Sequence, residues 1–311
     1  MRDWIDLPLT KEIQSPGQTT GTFHFMKKSV TKNKAQKNTV AIQGIAASFH
    51  ELAARTFFGE SITTIECLTF HSLCESLKSG KADHAVMAIE NSIAGSILPN
   101  YFLLQEYHFS IVGELYVPIH MHLLALPGVN MKDIRTIESH PMAIRQCSDF
   151  LHALPQVQVR ESDDTALSAK RVRELGLRDT AAIANERAAK LYGLQIVEKR
   201  IETHKKNFTR FLILKRRSLP EKDANKASLS FEVPHAVGSL AETLMTLKNN
   251  RINLTKIQSI PIIGKPSEYS IHVDVEWRSR KNYDLAIRQI LAQVHNLNIL
   301  GEYKKAKIEY Q

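Results

Sequence analysis

Residues 207–214 read NFTRFLIL and set an amide, a hydroxyl and a guanidinium at the entry of an apolar run. Phe211, Leu212, Ile213 and Leu214 suit a strand covered on both faces. Asn207, Thr209 and Arg210 stand where that strand begins. An amide and a hydroxyl each donate and accept hydrogen bonds, and a guanidinium fork matches a carboxylate. Small polar residues collect in the same way from Gly44 to Ser48, at Glu90, Asn91 and Ser92, at Ser139 and His140, and from Asp163 to Thr165. Several of these stretches open a predicted helix, where unpaired N–H groups and the dipole favour an anion by about 0.3–1 kcal/mol each. Together they point to a small anionic ligand, most simply a carboxylate.

Other chemistries have little local support. No G-x-G-x-x-G, G-x-x-x-x-G-K-[ST] or G-x-S-x-G stretch occurs. His120 and His122 could share a strand face, but no third ligand stands in local spacing. Cys67, Cys74 and Cys147 are odd in number and lack C-x-x-C spacing. That pattern argues against a disulfide framework or structural zinc and for a reducing cytoplasm.

Short apolar strands alternating with amphipathic helices must position the polar groups. The stretch TVAI runs into a turn at Gly44 and then a helix in which Ser48 and Glu51 have capping-box spacing. HAVMAI leads into ENSIAGSI, and IRTIES into a helix with Pro141 in its first turn. VQVRES and AAIA repeat the pattern, with Asn185 as a cap and Gly193 as a stop. Such alternation predicts an α/β region with largely parallel sheets, whose ligands bind outside the carboxyl ends of the strands. After a charged linker at 216–225, residues 226–307 read strand, helix, strand, strand, helix, strand, the ferredoxin-like order.

The stretches IQGIAASFHELAA, MAIENSIAGSI, ESHPMAIRQC, DDTALSAKRV, AAIANERAAKLYGL and NFTRFLIL occur in the order of the prephenate dehydratase motifs. Residues 40–215 therefore resemble that family, and the βαββαβ unit is similar to the ACT regulatory domain often attached to it. The resemblance implies a catalytic domain over 38–215 with two lobes like those of periplasmic binding proteins. One lobe is expected at 40–117 plus 196–215, the other at 118–195, with the site in the cleft between them. Residues 1–37 read as a flexible leader, within which Met26 is an alternative start, and no chorismate mutase domain is expected ahead of it.

The reaction implied is the loss of carbon dioxide and the ring hydroxyl from prephenate, giving phenylpyruvate for phenylalanine biosynthesis. It needs a hold on a dianion and a proton donor for the leaving hydroxyl, and such a donor is worth ~10²–10⁴-fold. By resemblance, Thr209 is the essential residue near the leaving hydroxyl; Arg210, whose guanidinium suits the dianion, is the other expected catalytic residue. Ser48, Asn91, Ser92, Thr165, Asn207 and Phe211 are the expected substrate contacts, with Phe211 also packing its strand. Glu90 ranks lower, because a carboxylate beside a dianion is repelled. No metal or organic cofactor is implied. The regulatory loops appear as Gly238-Ser239-Leu240 and as Gln258-Ser259-Ile260-Pro261. They depart from the usual glycine-alanine-leucine and E-S-R-P, yet Gly238, Ser239, Leu240 and Ser259 remain the expected phenylalanine site.

Composition sets the remaining bounds. The chain has 311 residues, 43% of them hydrophobic, enough for two or three cores. Its net charge of +9 lacks a basic stripe interleaved with aromatics, so nucleic acid is not an expected partner. No apolar run reaches the roughly 20 residues a membrane helix needs. A cytoplasmic homodimer or homotetramer is expected, since an isolated βαββαβ unit leaves edges and a sheet face to cover. Two rival readings are an arogenate dehydratase and a non-catalytic amino-acid sensor. Retention of Thr209 with Arg210 argues against the second.

Overall fold

The computed structural model describes residues 38–308. The leader expected over 1–37 and the alternative start at Met26 lie outside them. The first elements are β1 (Thr39–Gln43), α1 (Phe49–Phe58), β2 (Thr63–Cys67), α2 (Phe70–Lys78) and β3 (His84–Asn91). Next come β4 (Gly95–Ser96), α3 (Leu98–Tyr107) and β5 (Ser110–Pro118). The chain then builds β6 (His122–Ala125), β7 (Thr136–Ser139), α4 (Pro141–Gln146), α5 (Ser148–His152) and β8 (Gln158–Glu161). It continues through α6 (Thr165–Glu174), β9 (Thr180–Ala184), α7 (Glu186–Tyr192) and β10 (Gln195–Glu198) before returning as β11 (Phe208–Lys215).

Two sheets result. The first has strand order β2-β1-β3-β11-β5 with β4 on β3, and the second has β10-β6-β9-β7-β8. The sheets are mixed, which corrects the expectation of largely parallel ones. β1 pairs parallel with β2 and β3, and β7 with β8 and β9, through helical crossovers. The strands that carry the chain between the sheets run the other way: β11 is antiparallel to both β3 and β5, and β6 to β9 and β10. The second sheet also reaches Glu198, so the return crossing begins at 199, not 196. The two crossings run side by side, tied by Ile119 N to Asn207 O at 2.8 Å and Ile201 N to Met121 O at 2.8 Å.

The C-terminal segment forms β12 (Lys226–Glu232), α8 (Ser239–Asn249), β13 (Asn253–Pro261), β14 (Tyr269–Glu276), α9 (Arg280–Leu291) and β15 (His295–Tyr303). Its antiparallel sheet has order β13-β14-β12-β15, the ferredoxin-like arrangement. This sheet packs on the back of the first one. Ile260, Leu300 and Tyr303 join Met87, Ile89, Tyr101, Leu212 and Leu214 in one buried cluster. Gly301 makes the approach possible, since an added Cβ would overlap the carbonyl oxygen of Ile111 on β5. No helix among the described residues is long and apolar enough to cross a membrane.

One irregularity sets which side chains reach the cleft. Along β3 and β11, Thr209 faces Asn91 and Arg210 faces Glu90, but Phe211 faces Ala88, leaving Ile89 extra. A bulge of this kind resets the alternation of side chains. Ala88 and Asn91 therefore turn to the cleft, while Ile89 packs on the back face.

Candidate active site

A cleft of about 440 Å3 opens between the two sheets, lined by β3, β11 and the start of α1 on one side and by the starts of α4 and α6 on the other. Asn91 is its best-anchored polar group and is buried. Its Nδ2 donates to Asn207 Oδ1 at 2.7 Å and to Thr209 Oγ1 at 3.0 Å. Its Oδ1 accepts from the N–H groups of Ile93 and Ala94, at 3.0 and 2.9 Å. Asn207 passes the order on, its Nδ2 donating to Gln146 Oε1 at 3.0 Å across the cleft. These partners fix how each amide points.

Thr209 lines the cleft and accepts from Asn91 with its oxygen. No acceptor for its own proton stands among the described residues, so the proton is available to whatever fills the cleft. Phe211 forms the floor with His50, whose ring stands edge-on to it at a centroid distance of 5.0 Å. Burial lowers the His50 pKa to about 3, so the imidazole is neutral, and its Nε2 is buried without a partner. His140 caps α4, Nδ1 accepting from Met142 N at 3.2 Å. Burial lowers its pKa too, so the remaining nitrogen, Nε2, carries the hydrogen of a neutral ring and is a donor.

Several expected contacts prove to be supports. Ser48 is 1% exposed and caps α1, accepting from Glu51 N at 3.3 Å and donating to Gln43 O at 3.4 Å. The reciprocal half of the expected capping box is absent, because Glu51 turns to Ala47 N instead. Asn207 is 0% exposed and orients Asn91, off the cleft wall. Ser92 is exposed and pins the start of β11, its Oγ accepting from Phe208 N at 3.0 Å. Thr165 does line the cleft.

Arg210 is the largest correction. It is 3% exposed, on the back of the sheet, and its Nε donates to Glu114 at 2.7 Å while Nη1 meets Asp274. Burial opposes its charge, but Asp274, Tyr303 and Glu114 outweigh that and hold its pKa well above the usual value. Pleat parity explains the difference: Thr209 and Phe211 face the cleft, so Arg210 between them cannot. Glu90 goes with it, pairing with Lys256 at 2.8 Å.

The cleft accordingly has a different charge from the one expected. No Lys or Arg lines it among the described residues, while Asp163 and Asp164 do. Asp164 caps α6, Oδ1 accepting from Ala166 N at 2.8 Å and Leu167 N at 3.0 Å. Burial raises its pKa despite those donors. Gly44, with φ of +90°, leaves the space that the Asp164 carboxylate fills. The helix starts that were expected to offer free N–H groups thus carry side-chain caps at α1, α4 and α6. Gln146, His50 and Ser96 are lining residues that the sequence pattern did not single out, while His140, one of the polar residues grouped there, does reach the cleft. Gln146 sits in the quoted stretch ESHPMAIRQC, the one signal that could have found it.

Elsewhere, His120 and His122 are used locally, His122 Nδ1 accepting from Arg200 N at 3.1 Å. No group of three or more metal-ligating side chains stands among the described residues. Cys147 is buried at the break between α4 and α5, where burial raises its thiol pKa to about 12. Gly238, Ser239, Leu240 and Ser259 line one groove of about 840 Å3 beside Tyr269 and Ile271.

The family model for prephenate dehydratase matches residues 40–219. The arogenate dehydratase/prephenate dehydratase 2 of Arabidopsis thaliana is 36% identical over 277 residues, covering 85% of this chain and 72% of that one. A solved structure described as GqqA, a novel type of quorum-quenching acylase, is 31% identical with a TM-score of 0.78, covering 86% of this chain and 98% of that one. The prephenate dehydratase of Arthrobacter aurescens, solved with L-phenylalanine, is 26% identical with a TM-score of 0.78, over 86% of this chain and 90% of that one.

Proposed function

The chain belongs to the prephenate dehydratase family, and from that premise we propose that Thr209 supplies the proton that lets the ring hydroxyl of prephenate leave as water. The protein is a lyase that converts prephenate to phenylpyruvate in phenylalanine biosynthesis. In that step the bond from the ring to its carboxylate breaks and carbon dioxide departs. The electron pair flows into the ring, which becomes aromatic, and the carbon–oxygen bond opposite breaks. The departing oxygen needs a proton, and an aliphatic hydroxyl held as an acceptor by Asn91 has one to give. Thr209 acts as donor or relay, its proton replaced from solvent water in the same step, because an aliphatic hydroxyl is a poor acid in its own right.

The observation that carries this reading is the amide chain Gln146–Asn207–Asn91 ending on the Thr209 hydroxyl. Groups held this firmly before the reaction act without reorganisation during it. The substrate carboxylates then fall to neutral donors, His140 Nε2–H and the hydroxyls of Thr165 and Ser96, all on the cleft wall. The test is phenylpyruvate formation from prephenate by the purified full chain. No product across pH and salt would sink the assignment.

A second reading is favoured by the acidic wall. Arogenate, the aminated counterpart of prephenate, keeps both carboxylates and carries an ammonium in place of the keto group, a cation that Asp163 or Asp164 suits. Comparing kcat/KM on prephenate and on arogenate separates the two.

The C-terminal unit reads as an ACT domain with phenylalanine as effector in the groove of Gly238, Ser239, Leu240 and Ser259. The domain bounds proposed are 38–215, a linker at 216–225, and 226–307. A cytoplasmic homodimer or larger assembly joined partly through the last unit completes the reading. Inhibition by phenylalanine and the mass in solution test these points.

A further inference from the structure

Behind Asn91 and Thr209 lies a square of four charges. Glu90 and Arg210 are cross-strand partners on β3 and β11. Lys256 and Asp274 are cross-strand partners on β13 and β14. Glu90 pairs with Lys256 at 2.8 Å and Arg210 with Asp274, so each strand pair holds the other. The residues next to Glu90 and Arg210 are Asn91 and Thr209, which face the cleft on the opposite side of the same sheet.

The square is anchored on both sides. Arg210 also bonds Glu114, which in turn accepts from Lys226 of the C-terminal sheet at 2.9 Å. Asp274 accepts from Ser228 at 2.5 Å, and Tyr303 accepts from Arg210 at 3.2 Å. Lys256 donates to Ser96 Oγ at 3.0 Å, and Ser96 belongs to the cleft wall. Lys256 is three residues from Ser259, which lines the groove of the C-terminal unit.

We propose that Lys256 and Arg210 are positioning residues of the dehydratase site, holding Asn91 and Thr209 in register from behind, and that β13 carries the state of the groove to the cleft through Lys256. The proposal rests on the reading of the cleft as the prephenate site. Its physical basis is rigidity: Arg210 and Asp274 are buried charges with no solvent to turn to, and Lys256 ties the half-exposed Glu90 to the same square. A shift of β13 must therefore move Glu90 and Ser96 with it, and a small displacement of a catalytic group costs rate steeply. The C-terminal sheet is then part of the catalytic apparatus as well as its regulator.

The experiment uses the full chain and four variants: Lys256→Met, Glu90→Gln, Lys256→Arg, and the charge-swapped Glu90→Lys/Lys256→Glu. Lys256→Met and Glu90→Gln should each lower kcat about 10- to 100-fold with KM changed little. What activity remains should no longer respond to phenylalanine if the parent responds. Lys256→Arg and the swap should recover most of kcat. A merely structural pair would lower the melting temperature and leave kcat per folded molecule unchanged, and that result overturns the proposal. So does a folded swap variant no better than the single ones. Thr209→Val serves as the control: an active parent with a silent Thr209→Val and an unaffected Lys256→Met rejects this inference alone. An inactive parent rejects the reading beneath it.

Discussion

Asn91 and Thr209 sit opposite each other on antiparallel strands, and the Asn91 amide donates to the Thr209 hydroxyl at 3.0 Å. The hydrogen bond uses a lone pair of the hydroxyl and leaves its proton free for the cleft. Replacing Thr209 by Val keeps the β-branched shape and removes both. We expect kcat to fall by about 10²-fold or more, with a melting temperature close to the parent's. Parent-like turnover of prephenate would remove Thr209 from the mechanism.

Asp164 offers a test of substrate charge. Asn in its place keeps the helix cap, since an amide oxygen accepts the same two N–H bonds. It removes one of the two carboxyl groups on the cleft wall. The ratio of kcat/KM for prephenate over arogenate should rise about tenfold in Asp164→Asn, as only arogenate has an ammonium that loses its carboxylate partner. Steady-state rates on both substrates give the answer.

Gly301 is where β15 meets the backbone of β5. Gly301→Ala has no side-chain end to yield, so the two sheets must part. We expect a loss of about 1–3 kcal/mol in stability. Catalysis should weaken with it, because Arg210 and Asp274 are separated. Denaturant melts and kcat on the same preparation check this.

Two buried histidines tie stability to pH. Burial lowers the pKa of His272 to about 4 and that of His50 to about 3. The unfolded chain takes up those protons near pH ~6.5. The folded pKa is the lower one, so the unfolded state binds more protons as the medium becomes acid. Stability should hold above that value and fall as pH drops from ~6.5 toward 4, by about 1.4 kcal/mol per pH unit for each histidine. His272 stands edge-on to Tyr101 at 5.2 Å, a seat a phenyl ring can take. In His272→Phe the loss between about pH 6.5 and about pH 4.5 should be smaller than in the parent, as read by melting temperature.

What the sequence determined by itself was local and ordered. Ser48, Asp164 and Asn185 mark helix starts because a short polar side chain satisfies N–H groups within its own turn. The βαββαβ unit was legible because its two periodicities alternate cleanly along 226–307. The motif order from IQGIAASF to NFTRF was enough to place Asn91 and Thr209 among the residues of interest.

Facing was another matter. Thr209 and Arg210 are adjacent letters, yet one serves the cleft and the other the interface with the C-terminal sheet. Which is which depends on pleat parity, on the bulge at Ile89 and on the partner that covers the back of the sheet. Asp274 and Lys256 lie 64 and 46 residues from Arg210 along the chain. Only folding brings their charges to the same side of the sheet, and the buried Arg210 goes where its counter-charges are. Tertiary structure therefore decided that the arginine beside the Thr209 hydroxyl grips the C-terminal sheet instead of facing the cleft.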